Sequence, residues 1–293
     1  MLGRFRPTQW VFPKTLEEAT DVLKEKRTRL VAGGTGLYEL AKREMLPDID
    51  IIVDVQNLNL EYVKLETGML RIGAASRFSW LLRQEQLARR QLQGLVEAMS
   101  SVKPVQVRNV ATAGGALSLS IPFLDFPPAV LGMEGKLVLV GPGGKQRIIP
   151  ASSFWLDYLL PSLRKDEILA EIQIPLDADS TTSSFRKLGR TAGDFALVNV
   201  CAKTTFRADG RFAKLVIALG GVANTPIRLS KLEGSLEGQR FGTERVLKAI
   251  GDLSGLDPTP SVHGSSWYKR EIAKILVRDA LFTCAERAGF SPR

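Results

Sequence analysis

Apolar and polar residues follow one another along the first 55 positions in a pattern that predicts strands and helices in turn. Leu30–Ala32 is apolar and ends in glycines, as a buried strand does where it turns sharply toward a helix. Before it, Thr15 and Glu18 are spaced as a capping box for a helix that extends through Lys26. Ile49–Val55 is apolar on nearly every position, which is typical of a central strand. Residues 1–55 are therefore predicted to form a small β-α-β unit.

The pattern changes between residues 56 and 176, where short strand-like runs surround two helical ones. The predicted strands are Tyr62–Leu65, Met69–Ile72, Leu137–Val140, Gln146–Pro150 and Ile168–Pro175, and the predicted helices are Phe78–Glu85 and Leu92–Val102.

From residue 177 onward, strands come first and helices follow, which predicts a separate α+β domain. The polar stretch Asp177–Ser184 has no periodicity and is interpreted as a linker. Beyond it, the predicted strands are Phe185–Arg190, Ala196–Arg207 and Phe212–Leu219, and the predicted helices are Thr243–Leu253 and Ser266–Ala288.

Two glycine-rich turns are the candidate chemistry of this chain. Gly33, Gly34 and Gly36 can adopt positive φ and let a ligand approach the backbone, and the helix predicted over Leu37–Arg43 adds the N-terminus that favours an anion. The stretch Ala111–Ser118 repeats the arrangement of small residues, a threonine and a glycine pair. Two such turns suit a ligand with two phosphates, as in a dinucleotide cofactor. Neither turn fits a P-loop or a G-x-G-x-x-G fingerprint, and a tight turn without a ligand is the alternative for each.

Composition excludes several other classes. No run approaches about eighteen apolar residues, so no transmembrane segment is predicted, and Met1–Gln9 lacks the apolar core of a secretion signal. Cys201 and Cys284 are the only cysteines, and they lie in apolar runs. They are too few for an iron–sulfur or zinc site and predict reduced core residues in a cytoplasmic protein. The single His263 excludes a histidine-rich metal centre.

The net charge of +9 raises the question of a nucleic-acid partner. The basic residues are scattered, and no aromatic interleaving of the kind found in RNA-binding strands accompanies them. The sequence therefore predicts no nucleic-acid binding; a basic surface that meets an acidic protein or an anionic cofactor is favoured instead.

Five motifs in one order give the chain a resemblance to a known family. They are Val31–Thr35, Gln106–Gly115, Asp125, Asp166–Leu169, and Lys187–Arg190 followed by Asp194–Val198. In this order they resemble the FAD-binding (medium) subunit of molybdenum hydroxylases, of the xanthine dehydrogenase and carbon monoxide dehydrogenase type. The resemblance extends from about Phe5 to Leu281 and depends on the five motifs together.

The resemblance implies an α+β fold. It consists of a two-part FAD-binding domain of the vanillyl-alcohol-oxidase (PCMH) type and a C-terminal domain of three antiparallel strands with helices. The corresponding division is residues 1–55, 56–176 and 177–293, which agrees with the changes of pattern described above.

The resemblance also implies a set of cofactor-binding residues, with no catalytic residue and no metal ligand among them. The first pyrophosphate loop comprises Ala32, Gly33, Gly34, Thr35, Gly36 and Leu37. The second comprises Ala111, Thr112, Gly115 and Ser118. The remaining expected contacts are Asp125, which would accept hydrogen bonds from the ligand, Ile168 and Leu169 beside the isoalloxazine, and Lys187 near the flavin carbonyl edge.

Some of these assignments have alternatives. Asp125 could cap a turn before Pro127, and Lys187 could be a solvated strand residue. Gly36 and Ala116 stand where the family more often has polar side chains. Their presence is expected to weaken FAD binding rather than abolish it, because the backbone donors remain.

The function implied by the resemblance is electron transfer. A molybdopterin-binding large subunit would oxidise the substrate, a small subunit with two [2Fe–2S] clusters would carry single electrons, and the FAD of this chain would pass pairs to an acceptor such as NAD or a quinone. One alternative is a stand-alone flavin oxidase, weakened by the absence of a histidine or cysteine placed to hold flavin covalently. The other is a non-catalytic basic adaptor, which Gly36 and Ala116 would favour.

Overall fold

The first segment of the chain forms a three-stranded parallel sheet in the computed structural model, which describes residues 7–291 apart from the side chain of Ser254. Its strands are β1 (Gln9–Val11), β2 (Thr28–Val31) and β3 (Ile51–Asp54), in the order β1-β3-β2. The helices α1 (Leu16–Val22) and α2 (Thr35–Lys42) connect them. Most of the stretch Met1–Gln9, for which no secretion signal is predicted, lies outside the described residues.

The predicted cap of α1 is present, since the Thr15 hydroxyl accepts a hydrogen bond from the Glu18 N–H at 3.2 Å. The helix itself is shorter than predicted and ends at Val22 instead of Lys26. The chain must turn back there to enter β2, and it does so with Arg27 at a φ of 58°.

A five-stranded antiparallel sheet organises the middle segment, in the order β4-β5-β10-β6-β7, beside a small β8-β9 hairpin. The strands are β4 (Val63–Glu66), β5 (Met69–Gly73), β6 (Lys136–Val140), β7 (Gln146–Pro150), β8 (Trp155–Asp157), β9 (Leu160–Pro161) and β10 (Ile168–Pro175). The helices are α3 (Phe78–Leu81), α4 (Gln93–Ser101), α5 (Val105–Val110), α6 (Ala113–Ser118) and α7 (Phe126–Gly132).

The two faces of this sheet are both covered. Leu169, Ile172 and the α-helices share the main core of the middle segment. On the opposite face, Ile168 packs with Ala19 and Val53 of the first segment. The sheet therefore holds the first segment against the middle one.

The C-terminal segment contains an antiparallel sheet of β11 (Thr181–Leu188), β12 (Val198–Phe206), β13 (Phe212–Gly220) and β14 (Ile227–Arg228). Its helices are α8 (Ser230–Leu236), α9 (Thr243–Gly251) and α10 (Ser266–Arg287). Three long strands are as predicted, and the two-residue β14 is a fourth strand that the three-stranded prediction lacks.

The linker interpretation of Asp177–Ser184 is wrong for its second half. Residues from Thr181 belong to β11 and are buried. Their polar side chains are satisfied inside the protein, because the Thr182 hydroxyl donates to the Cys284 carbonyl at 2.8 Å and the Ser184 hydroxyl donates to the Ala280 carbonyl at 3.0 Å. A polar composition therefore marks contact with α10 at this point instead of exposure to water.

Close packing and ion pairs join the C-terminal sheet to the middle segment. Gly94 of α4 and Gly132 of α7 both face Cys201 of β12, where an added Cβ would lie 3.0–3.1 Å from that side chain. The buried Lys203 ammonium reaches the Glu134 carboxylate at 2.9 Å and the Asp177 carboxylate at 2.6 Å. This packing fixes β11 and β12 against α4 and α7.

Candidate functional site

The first glycine turn joins β2 to α2. Gly34 has a φ of 70° and stands at the N-cap of α2. The N–H groups of Thr35, Gly36 and Leu37 in the first turn of α2 have no acceptor among residues 7–291. Such unsatisfied groups at a helix N-terminus are suited to bind an anion.

The second glycine turn leads from α5 into α6 and is more fully occupied by the protein. The Thr112 hydroxyl accepts from the Gly115 N–H at 3.2 Å, and the Gly114 N–H donates to the Ala74 carbonyl at 2.8 Å. The Ala113 N–H donates to the Ser76 carbonyl at 2.9 Å. The expectation that this turn keeps its backbone donors for a ligand is therefore wrong at residues 113–115. Gly115 is nevertheless exposed, so its Cα surface is open to a ligand.

The two turns touch each other. A Cβ on Gly33 would lie 1.8 Å from the Val110 carbonyl oxygen, and a Cβ on Gly36 would lie 2.8 Å from the Leu119 Cδ2. Two segments about 80 residues apart in the sequence thus meet at a distance that only glycine permits. The close approach of Leu119 explains why a glycine stands at position 36. Gly36 is therefore no argument for a turn that has lost its ligand.

Asp125 and Lys187 come together at the junction of the middle and C-terminal segments. The Lys187 Nζ lies 2.6 Å from the Asp125 Oδ2, and both side chains are largely buried, at 13% and 5% exposed. Ser101 donates to the same oxygen at 2.8 Å, and the Asn199 amide donates to the Asp125 Oδ1 at 3.0 Å. Lys187 is therefore not a solvated strand residue. Asp125 precedes α7 but makes no capping hydrogen bond with its side chain.

A cavity of about 390 Å³ opens beside this ion pair. It is lined by Ser101, Lys103, Lys187, Leu188, Gly189, Arg190, Thr191 and Ala192. Its size lies in the range of small-molecule and cofactor sites, about 300–1,000 Å³. Three cations line it, one of which is held by Asp125 and another by Asp194, at 3.3 Å from Arg190. Ser101 and Lys103 line the cavity but are not among the residues predicted for the site, because nothing in their local pattern distinguishes them from other polar residues near a helix end.

Several predicted site residues occupy core positions. Ile168 and Leu169 are 2% and 4% exposed and point to opposite faces of the sheet. Ala111 is also buried, at 7% exposed. These residues offer a ligand little beyond their backbone. Ala32, Gly33, Gly34, Thr35, Gly36, Leu37 and Ser118 are partly exposed around the two turns.

An ion pair beneath the second turn anchors it. Arg77 forms a β-bridge with Thr112, and its guanidinium contacts the Glu61 carboxylate at 2.6 and 2.9 Å. These hydrogen bonds from Arg77 lower the pKa of Glu61.

Within the part of the chain that the structure describes, no group of three or more histidine, cysteine or acidic side chains is placed to hold a metal ion.

Comparison with known proteins gives matches along nearly the whole chain. A family model described as the FAD binding domain in molybdopterin dehydrogenase matches residues 4–177, and one described as the CO dehydrogenase flavoprotein C-terminal domain matches residues 183–283. The glyceraldehyde dehydrogenase medium chain of Sulfolobus acidocaldarius is 30% identical over 274 residues, which cover 92% of this chain and 96% of the relative. The xanthine dehydrogenase FAD-binding subunit of Escherichia coli O157:H7 is 29% identical, with coverages of 94% and 95%.

A solved structure agrees with these matches. The carbon monoxide dehydrogenase of Hydrogenophaga pseudoflava, in a form that lacks the Mo-pyranopterin moiety of its cofactor, superimposes with a TM-score of 0.90 at 28% identity. The superposition covers 96% of this chain and 98% of that one.

Among residues 7–291, no helix has both the length and the apolar character required to cross a membrane.

Proposed function

The chain belongs to the family of FAD-binding flavoprotein subunits of molybdenum hydroxylases, which are oxidoreductases, and on this premise we propose that it carries electrons from [2Fe–2S] clusters through FAD to a separate acceptor. The family resemblance and the fold drawn from the sequence are thereby confirmed. The electron path, the acceptor and the individual site residues are parts of the proposal.

The observation that carries the proposal is the contact between the two glycine turns. It places the start of α2 against Val110 and Leu119, at the two ends of the second turn, so that one pyrophosphate could touch both turns. The first turn, Ala32 to Leu37, would supply most of the backbone donors, because they have no acceptor in the described chain. The second turn, with Ala111, Thr112, Gly115 and Ser118, would supply mainly shape and close approach.

The cavity beside Lys187 is the proposed place for the isoalloxazine ring. FAD, when bound, supplies the redox chemistry, since it can take single electrons and release them in pairs. Lys187 would place positive charge by the flavin carbonyl edge and stabilise the negative charge that reduction adds there. Asp125 would hold that ammonium in place. Ile168 and Leu169 stay predicted neighbours of the isoalloxazine through their backbone, although they are not among the residues that line this cavity.

The remaining parts of the proposal concern the setting. The partners would be a molybdopterin-binding large subunit and a small subunit with [2Fe–2S] clusters, and the acceptor would be NAD or a quinone. The two unpaired, buried cysteines favour a cytoplasmic location. The domain division at residues 55/56 and 176/177 is supported by the ends of the three main sheets.

The visible spectrum of the purified chain tests the cofactor assignment. We expect a yellow protein with one non-covalent FAD, or one that takes up FAD on reconstitution. A colourless chain that fails to bind FAD at tens of micromolar would favour the adaptor alternative. A Kd in that range corresponds to a binding free energy of about 6–7 kcal/mol.

Isolation from the native host tests the subunit assignment. We expect the chain to copurify with molybdenum and iron in a complex. If it elutes alone and oxidises a small substrate without either metal, the stand-alone oxidase takes the place of the subunit function.

A further inference from the structure

The Asp125 carboxylate accepts hydrogen bonds from three donors that come from different elements. Lys187 of β11 and Ser101 of α4 reach Oδ2, and Asn199 of β12 reaches Oδ1. Lys187 and Asn199 are directly opposite each other in the β11–β12 register. One cross-strand pair thus holds both oxygens of a carboxylate that belongs to the middle segment.

The Asn199 amide has an unusual balance of hydrogen bonds. It is completely buried, and its NH₂ group donates to the Leu124 carbonyl at 3.1 Å and to Asp125 at 3.0 Å. Its own Oδ1 has no partner within residues 7–291 and lies against Gly220, where a Cβ would be 2.3 Å away. A buried oxygen without a donor is costly. The presence of the amide is therefore explained by what its NH₂ group does at Asp125.

The Lys187 ammonium has donors to spare. It carries three N–H groups, and Asp125 is its only hydrogen-bond or ion-pair partner in the described chain. Since Lys187 lines the cavity, its other two N–H groups are available to a ligand there. This holds only while Asp125 takes a single N–H from the lysine.

We infer that Asn199 is a positioning residue that acts through Asp125 on Lys187 and so sets the reduction potential of the bound flavin; the inference rests on the proposed function. By satisfying Oδ1, the amide keeps the carboxylate from turning to take a second N–H of Lys187. Without it, the ammonium is drawn toward Asp125 and away from the cavity. Ser101 helps to orient the same carboxylate through Oδ2, although its single hydrogen is shared between Asp125 and the Ala98 carbonyl.

The test is a double-mutant cycle on the full-length chain with saturating FAD. Asn199→Leu, which keeps the volume and removes the amide, is expected to lower the flavin reduction potential and to weaken FAD binding several-fold. In a Lys187→Met background, the same substitution is expected to cause no further shift in potential, because its effect passes through Lys187. Lys187→Gln is the background if the methionine variant does not retain FAD.

Two further variants keep the test decisive. Thr204→Val removes a buried hydrogen bond from the same strand, without contact to Asp125, and should leave the potential unchanged. Ser101→Ala, at a half-buried position, replaces Asn199→Leu in the cycle if the latter variant does not fold, and it should give the same pattern of shifts in potential.

An equal shift with and without Lys187, or no shift at all, would overturn the inference while leaving the FAD assignment intact. Failure of the wild-type chain to bind FAD would instead overturn the proposed function, and the inference with it.

Discussion

Replacing Gly33 with alanine should separate the two glycine turns and remove most of the FAD affinity. The added Cβ would stand 1.8 Å from the Val110 carbonyl oxygen and 2.6 Å from its carbon, whereas real Cβ contacts are not shorter than 3.0 Å. Backbone cannot rotate aside as a side chain can. The turns must therefore move apart by about 1 Å, and a displacement of this size costs about 10²-fold in a preorganised site.

The free energies follow from that factor. At an FAD concentration 100 times the wild-type Kd, the cofactor stabilises the folded wild type by about 2.7 kcal/mol. A site weakened a hundredfold keeps only about 0.4 kcal/mol of that stabilisation. The apo protein should lose about 1–3 kcal/mol from overpacking. Fluorescence titration with FAD gives the Kd, and urea unfolding with and without FAD gives both free energies.

Gly135→Ala is the matched control. Its Cβ would crowd the Val130 side chain at 2.7 Å, in the core and away from both turns. We expect it to destabilise the apo protein while leaving the FAD affinity near that of the wild type. A Gly33→Ala protein that binds FAD as tightly as the wild type would show that the contact between the turns does not shape the site.

Three other outcomes are expected. Gly34→Val and Gly115→Val should each abolish FAD binding, measured by absorbance after desalting, while the circular dichroism of the chain stays unchanged. At position 34 a β-branched residue resists the positive φ, and at position 115 it meets the Thr112 hydroxyl. Lys203→Met should lower the free energy of unfolding by about 1–3 kcal/mol, since the half-buried Glu134 and Asp177 carboxylates lose their buried cation and keep the more exposed Lys214; an unchanged urea midpoint would contradict this. Because of Glu171, the free energy of unfolding should also fall below about pH 4.5. Burial opposes ionisation of this carboxyl, but hydrogen bonds from Tyr62, Gln173 and Arg71 outweigh the burial and lower its pKa. The stabilisation is therefore present above the pKa of Glu171 in the unfolded chain, and it is lost as the pH falls through the pKa of Glu171 in the folded protein. Glu171→Gln should flatten that acid dependence.

The sequence predicted the strands whose composition agrees with their burial, and it failed where side chains from distant segments decide the structure. Ile168–Pro175 was placed correctly because apolar residues fill it. Thr181–Ser184 looked like a linker because the α10 carbonyls that receive its hydroxyls lie about 100 positions away. Local pattern carries no information about such partners.

The candidate site shows the same division. The two glycine turns could be found from their residues, but their contact through Gly33 and Val110 could not, because it depends on how the first segment docks on the middle one. Asp125 and Lys187 were each predicted to meet a ligand. Their ion pair, across 62 positions, was not predicted, and it gives the carboxylate a partner within the protein as well.

On the proposed function, the groups that would bind FAD and those that would set its reduction potential come from different parts of the chain. The donors without an acceptor lie at α2, in the first segment, whereas Lys187 and Asn199 come from the C-terminal sheet. The middle segment touches both, through Val110 at one end and Asp125 at the other. Changes at Gly33 should therefore alter the Kd for FAD, with little effect on the potential of the FAD that remains bound. Changes at Asn199 should alter the potential more than the Kd. A substitution that loosens the docking of the middle segment on β11 and β12 should therefore change the reduction potential of the flavin before FAD itself is lost.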